Sequence, residues 1–191
     1  NNNYIPDIPY YRGIWINNSI LNANGTSSGG NIQINGKGYI SEINSDYNIG
    51  VDFVLDTEIK TNFNGQINIK GIGGLHNTED HGAGVNFFSQ NSVHTEFGSI
   101  SITGTAGGGT SANSRLDAGI NFDGGGTFDA KIYSTSGDII LKGNKSSLSN
   151  SYGIMNGIDD IPTYIGTDGT NETSGNIYIN SECMQTAEIV V

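Results

Sequence analysis

The stretch Gly65-Gln66-Ile67-Asn68-Ile69-Lys70-Gly71 alternates apolar and polar residues between two glycines. Such alternation is the period-2 pattern of a strand with one buried and one wet face. Four more stretches repeat it: Gly30 to Gly36, Gly98 to Gly104, Gly137 to Gly143 and Gly175 to Ser181. Their first glycines, Gly30, Gly65, Gly98, Gly137 and Gly175, follow one another at steps of 35, 33, 39 and 38 residues. A near-constant period of this size marks an architecture in which one supersecondary unit recurs.

A second motif follows in every period. Gly50-Val51-Asp52-Phe53, Gly84-Val85-Asn86-Phe87 and Gly119-Ile120-Asn121-Phe122 share it. Gly153-Ile154-Met155-Asn156 fills the slot without the aromatic, and Gly13-Ile14-Trp15-Ile16 fills it ahead of the first full period. A weaker third motif precedes each return to the first: Ile20-Leu21-Asn22, Ile59-Lys60-Thr61, Val93-His94-Thr95, Ile132-Tyr133-Ser134 and Ile165-Gly166-Thr167. Strands this short cannot hold together as an isolated sheet. Stacked on the next period, each pairs in parallel with its own equivalent, about 4.8 Å away.

The chain therefore reads as all-β: a right-handed parallel β-helix (a solenoid) of about five rungs of three short strands, with long loops at one corner. An antiparallel sandwich or barrel also uses many short strands, but it does not require three motifs in one fixed order. Stacking places Ile32, Ile67, Ile100, Ile139 and Ile177 in one internal column, and Ile34, Ile69, Ile102, Leu141 and Ile179 in a second. Phe53, Phe87 and Phe122 form an aromatic column. Residues 13–191 make a single β-helix domain, and residues 1–12 an extended N-terminal segment. Within that segment Tyr4 to Tyr11, held extended by Pro6 and Pro9, is expected to lie against a neighbouring rung. Glu188 to Val191 is expected to take the second slot again, in phase with the start. The opening Asn1-Asn2-Asn3, with no initiator Met, reads as a piece of something longer.

Insertions fall between the first and second motifs, at 37–49, 72–83, 105–118 and 144–152. Stacked, they are expected to form a glycine-rich ridge, the place where repeat proteins commonly bind. A later insertion, 157–174, is a separate loop.

Composition narrows the function. Twenty-nine glycines and only 14% charged residues leave apolar side chains arriving in pairs, which fills a narrow core and not a wide one. Eight basic against 19 acidic residues give a net charge of −11 with no basic run. Nucleic acid and anionic membrane surfaces are poor partners for such a chain. No apolar stretch is long enough for a membrane span, so no membrane insertion is expected. Cys183 is the sole cysteine, so no intrachain disulfide can form; it is expected to be a small buried or semi-exposed thiol, with intermolecular pairing as the alternative.

Tandem Gly-x-Ile-x-Ile-x-Gly, a loop, Gly-Val-x-Phe and a short β-branched strand resemble bacterial filamentous-haemagglutinin-type exoproteins, exported by two-partner or autotransporter routes. The resemblance spans about residues 13–181 and implies a secreted β-helix at the bacterial cell surface, serving as a stalk or adhesive surface. Implied partners are other copies or further segments of the same protein, and host or neighbouring-cell glycans or proteins. Two other functions are expected to compete: a subunit of an extracellular filament stacking end to end, and a carbohydrate-active enzyme.

Enzymatic candidates are sparse. The outward position of the second motif runs Trp15, Asp52, Asn86, Asn121, Met155, offering one acid where a glycosidase needs two. Asp159 and Asp160 read as solvated loop charges, and no catalytic residue is assigned. His76, Glu79, Asp80 and His81 have metal-ligand chemistry but read as a loop, as does Asp168 to Glu172, an Asp/Asn-rich corner open to calcium whose spacing matches neither the EF-hand loop nor the glycine-rich calcium-binding nonapeptide. No cofactor is expected. Thr61, Thr95, Ser134 and Thr167 make one imperfect hydroxyl column, too little for an ice-binding face. Sequons at Asn17, Asn24, Asn144 and Asn171 are candidate glycosylation sites.

Overall fold

Alternate β-branched residues suit a pleated surface packed on one side, and every such run here forms a strand. The computed structural model describes residues 12–39, 47–76, 82–109, 117–124, 130–147, 151–156, 161–168, 170–186 and 189–191, and these contain no helix. Three parallel sheets of six, five and six strands stack into a β-solenoid.

The five copies of the first motif make the isoleucine sheet: Ile32–Lys37, Ile67–Ile72, Ile100–Thr105, Ile139–Asn144 and Ile177–Ser181. They pair in sequence order, with Ile32 on Ile67, Ile67 on Ile100, Ile100 on Ile139 and Ile139 on Ile177. The phenylalanine sheet holds Ile14–Asn17, Val51–Val54, Val85–Phe88, Ala118–Asp123, Tyr152–Asn156 and Met184–Thr186. The third sheet holds Ile20–Asn22, Glu58–Thr61, Asn91–Thr95, Ala130–Ser134, Thr163–Ile165 and Ile189–Val190.

Inside, Ile67, Ile69, Ile100, Ile102, Ile139 and Leu141 are buried, as is Ile34. Ile32, Ile177 and Ile179, in the outermost rungs, are partly buried against the same cluster. Phe53, Phe87 and Phe122 stack with ring centroids 5.0 and 5.3 Å apart. Offset stacking of this kind adds to the burial of the rings themselves.

Close approach explains both glycines of the first motif. A Cβ on Gly71 or Gly104 would stand 1.8 or 1.7 Å from the carbonyl oxygen of Gly84 or Gly119, where the next strand of the same turn begins. A Cβ on Gly98 would meet the carbonyl of Gly65, the equivalent glycine one rung away, at 1.8 Å. Left-handed backbone is instead carried at the corners by Asn18, Leu55, Asp56, Phe63 and Ser89, with Gly166 the one described glycine at positive φ.

Three sequence expectations need correction. Leu21, not Ile20, sits opposite Ile59, and Ile20 is 66% exposed. A one-residue slip in a strand turns every side chain to the other face, and Ile20-Leu21 offers two apolar residues from which alternation alone cannot choose. Thr167 does not extend its column, because Gly166 turns the chain away at φ +85° and Thr167 bridges to Glu172. Ile189–Val190 pairs with Thr163 and Tyr164 in the third sheet, while Met184–Thr186 takes the second slot. The last turn carries no long insertion, so its slots arrive sooner than a constant period predicts. Tyr4 to Tyr11 lies outside the described residues.

Candidate functional site

On the phenylalanine sheet inward and outward side chains alternate, yet both sets are buried. Asp52, Asn86, Asn121 and Met155 are 1%, 4%, 0% and 2% exposed; only Trp15, at the end of this column, is open at 57%. These positions were expected to face solvent. Neighbouring corner insertions are bonded to one another: Gly82 donates to an Asp117 carboxylate oxygen at 2.7 Å, Gly74 to the Asn48 carbonyl at 2.7 Å, and the Asn48 amide to the Leu75 carbonyl at 2.8 Å. Two insertions pair with each other, Leu75–His76 lying parallel to Gly108–Gly109.

The covered column is wired along the solenoid axis. Asn121 Nδ2 donates to Asn86 Oδ1 at 2.8 Å, and Asn86 Nδ2 donates to Asp52 Oδ1 at 2.7 Å. The other Asp52 oxygen forms an ion pair with the Arg12 Nε. Arg12 in turn lies over the rings of Trp15 and Tyr47, at 5.1 and 5.8 Å. Burial raises the Asp52 pKa above the ordinary carboxylate value, opposed by the Asn86 hydrogen bond and by Arg12. A signal for this ladder was present in the sequence: an acid and two amides recur at one register, where the isoleucine sheet shows a mixture of Gln33, Asn68, Ser101 and Ile140.

Across the first four strands of the sheet this face opens into a cleft of about 170 Å³. Asp52 and Asn86 form its floor, with Arg12 and Tyr47 on one side and Phe88 and Asp123 on the other. Asp123 pairs with Phe88, and Phe88 with Val54, two positions along the strand from Asp52. Two rungs and two residues separate the acids, roughly 12 Å at Cα by standard sheet spacings. A glycosidase needs two carboxyls at work, and here Asp52 is already committed to Arg12 and Asn86.

The hydroxyl column faces inward. Thr61, Thr95 and Ser134 are buried and donate to the carbonyls of Gly30, Gly65 and Gly98 at 2.7, 2.9 and 2.9 Å. Each ties a rung to the corner of its neighbour, a stitching role in place of the outward rank considered for ice binding.

Other candidates stay apart. Asp159, Asp160, Glu79, Asp80 and His81 lie outside the described residues, as does the side chain of His76. His94, half-buried, stacks on Tyr133 at 5.3 Å, and burial holds its pKa below the ordinary imidazole value despite Glu96, Asp168 and Glu58. Asp168 accepts hydrogen bonds from the Thr170 and Asn171 backbone and side chains, which hold its pKa below the usual carboxylate range. That corner is closed by its own donors. Cys183 is exposed, more open than the buried or semi-exposed thiol expected.

Of the four sequons, Asn17, Asn24 and Asn171 are exposed. Asn144 ends a strand, is partly buried and donates to Thr105 Oγ1 at 3.2 Å. Its amide is engaged within the sheet.

Fold and site together define a parallel β-solenoid with one covered outer face. No family model matches the chain, and no curated protein or solved structure is significantly similar to it.

Proposed function

We propose that the chain is a structural and adhesive segment of a secreted, cell-surface β-helical exoprotein. The observation that carries this reading is the rung-to-rung wiring: three in-register sheets joined by the Thr61, Thr95 and Ser134 hydroxyls and by the Asp52-Asn86-Asn121 ladder. Such wiring suits a rigid rod more than a site that must move. Further segments or copies of the same protein are its partners along the axis, and surface glycans or proteins are its partners sideways. The mass of the native polypeptide, with electron microscopy of the purified material, tests this. One very long chain seen as a rod is expected; polymers of short chains would instead favour a filament subunit that assembles by end-to-end β-stacking. No turnover of pectin or alginate is expected, and turnover abolished by Asp52→Asn would replace this reading with an enzyme.

A further inference from the structure

The cleft on the phenylalanine sheet has a chemistry of its own. Its floor is polar but internally matched: the Arg12 charge is opposed by Asp52, and Asp52 and Asn86 are hydrogen-bonded to each other. Its walls are apolar and aromatic, from Ile49 and Tyr47 on one side to Val54 and Phe88 on the other. Phe88 points outward and is 38% exposed, although Asp52, Asn86 and Asn121 on the same sheet are buried. The far rim carries the Asp123 carboxylate.

Three features select the ligand. A volume of about 170 Å³ lies below the roughly 300–1,000 Å³ of a drug-sized pocket, so one ring-sized group fits. An anionic group would meet the Asp123 carboxylate with no unopposed cation to hold it, because Arg12 is matched by Asp52. A neutral group with an apolar face and a polar edge uses the apolar walls together with both polar rims. Sugar hydroxyls both donate and accept, so guanidinium donors on one side and a carboxylate acceptor on the other complement them. Aromatic rings supply the flat apolar surface that a ring C–H face needs.

We propose that this cleft binds one neutral pyranose unit of a glycan, its C–H face against the Phe88 ring and its hydroxyls toward Arg12 and Asp123. The proposal names the ligand of the adhesive surface and rests on that half of the reading above; its failure would leave the rod intact.

The test is saturation-transfer NMR on the whole chain with methyl α- and β-glucoside, galactoside and mannoside and with methyl N-acetylglucosaminide. At least one should bind saturably, with Kd of about 1 mM, as a single small ring allows. Phe88→Ala should weaken it at least about tenfold while leaving the melting transition in place, since the ring is partly exposed. Asp123→Asn gives an independent reading from the opposite rim and should weaken binding as well. Tyr178→Ala, on the exposed face of the isoleucine sheet, should change nothing. The proposal is overturned if no glycoside binds saturably, or if binding persists unchanged in both cleft variants. It is equally overturned if N-acetyl-phenylalanine amide occupies the cleft and every glycoside fails, which would make it a site for protein side chains.

Discussion

The isoleucine and phenylalanine sheets begin from the same alternating pattern and end with different outer faces. On Ile67–Ile72 burial follows the alternation, with Asn68 and Lys70 exposed between buried isoleucines. On Val85–Phe88 the first three residues are all buried, although Asn86 points away from the core. The sheets differ at their outward positions: Asp52, Asn86 and Asn121 are buried and bonded to one another, whereas Asn68 and Lys70 are exposed. A polar side chain at a covered position must then find partners within the protein, whereas the same amide on the open sheet has water.

Removing the shared interior of both sheets should cost most. Phe87 stacks on Phe53 and Phe122 at once, so Phe87→Ala is expected to destabilise by about 3–5 kcal/mol in urea unfolding, and Ile100→Ala by about 2–5 kcal/mol. An unchanged transition in either variant would mean that the rung alignment is wrong.

The next pair sharpens the contrast between faces. Asn86→Ala removes the amide that joins Asn121 to Asp52 and should cost about 1–3 kcal/mol, because buried partners lose their bonds. Asn68→Ala, one sheet away and exposed, should stay within about 0.5 kcal/mol. Equal costs would erase the difference between covered and open faces.

A smaller effect is expected at the inward hydroxyls. Thr95→Val keeps the shape but loses the bond to the Gly65 carbonyl, and should cost about 0.5–1.5 kcal/mol by the same unfolding measurement. No change would remove the stitching role.

The subtlest is a pH dependence. Burial raises the folded Asp52 pKa above its ordinary value of 3.8, so over the range between the two values the folded state holds more protons than the unfolded state. Stability from this group is then greatest at low pH and declines as pH rises through the folded pKa. Asp52→Asn keeps the shape and removes the titration. Its stability relative to the parent should therefore climb with pH across the weakly acidic range, read from urea midpoints. A difference that falls with pH would show that the Arg12 ion pair outweighs burial.

Which parts of this were legible beforehand follows from the same contrast. The rung order and the Ile and Phe columns could be read directly, because a repeated motif aligns itself and alternation names the inner face. Ile20 was misplaced because two adjacent apolar residues satisfy either register. Met184–Thr186 and Ile189–Val190 were missed because the last turn loses its insertion, and spacing was the only guide there. The cleft is illegible in the sequence for a different reason: Arg12, Tyr47, Phe88 and Asp123 belong to successive turns, and only the stacking of those turns brings them around Asp52. The Asp52, Asn86 and Asn121 register was visible, but its burial was not.

The central claim is parallel, in-register stacking of one motif per turn, and paired cysteines test it most directly. Asn68 and Ser101 are partners on adjacent strands of the open isoleucine face, while Asn68 and Thr103 are offset by two residues. In a chain carrying Cys183→Ser, the pair Asn68→Cys with Ser101→Cys should oxidise readily to an intrachain disulfide, since partner Cα atoms about 4.8 Å apart fall within the roughly 4.4–6.8 Å such a bond spans. The offset pair Asn68→Cys with Thr103→Cys should remain reduced under the same conditions. Efficient closure of the offset pair, with the in-register pair left open, would contradict the stacking on which the whole account depends.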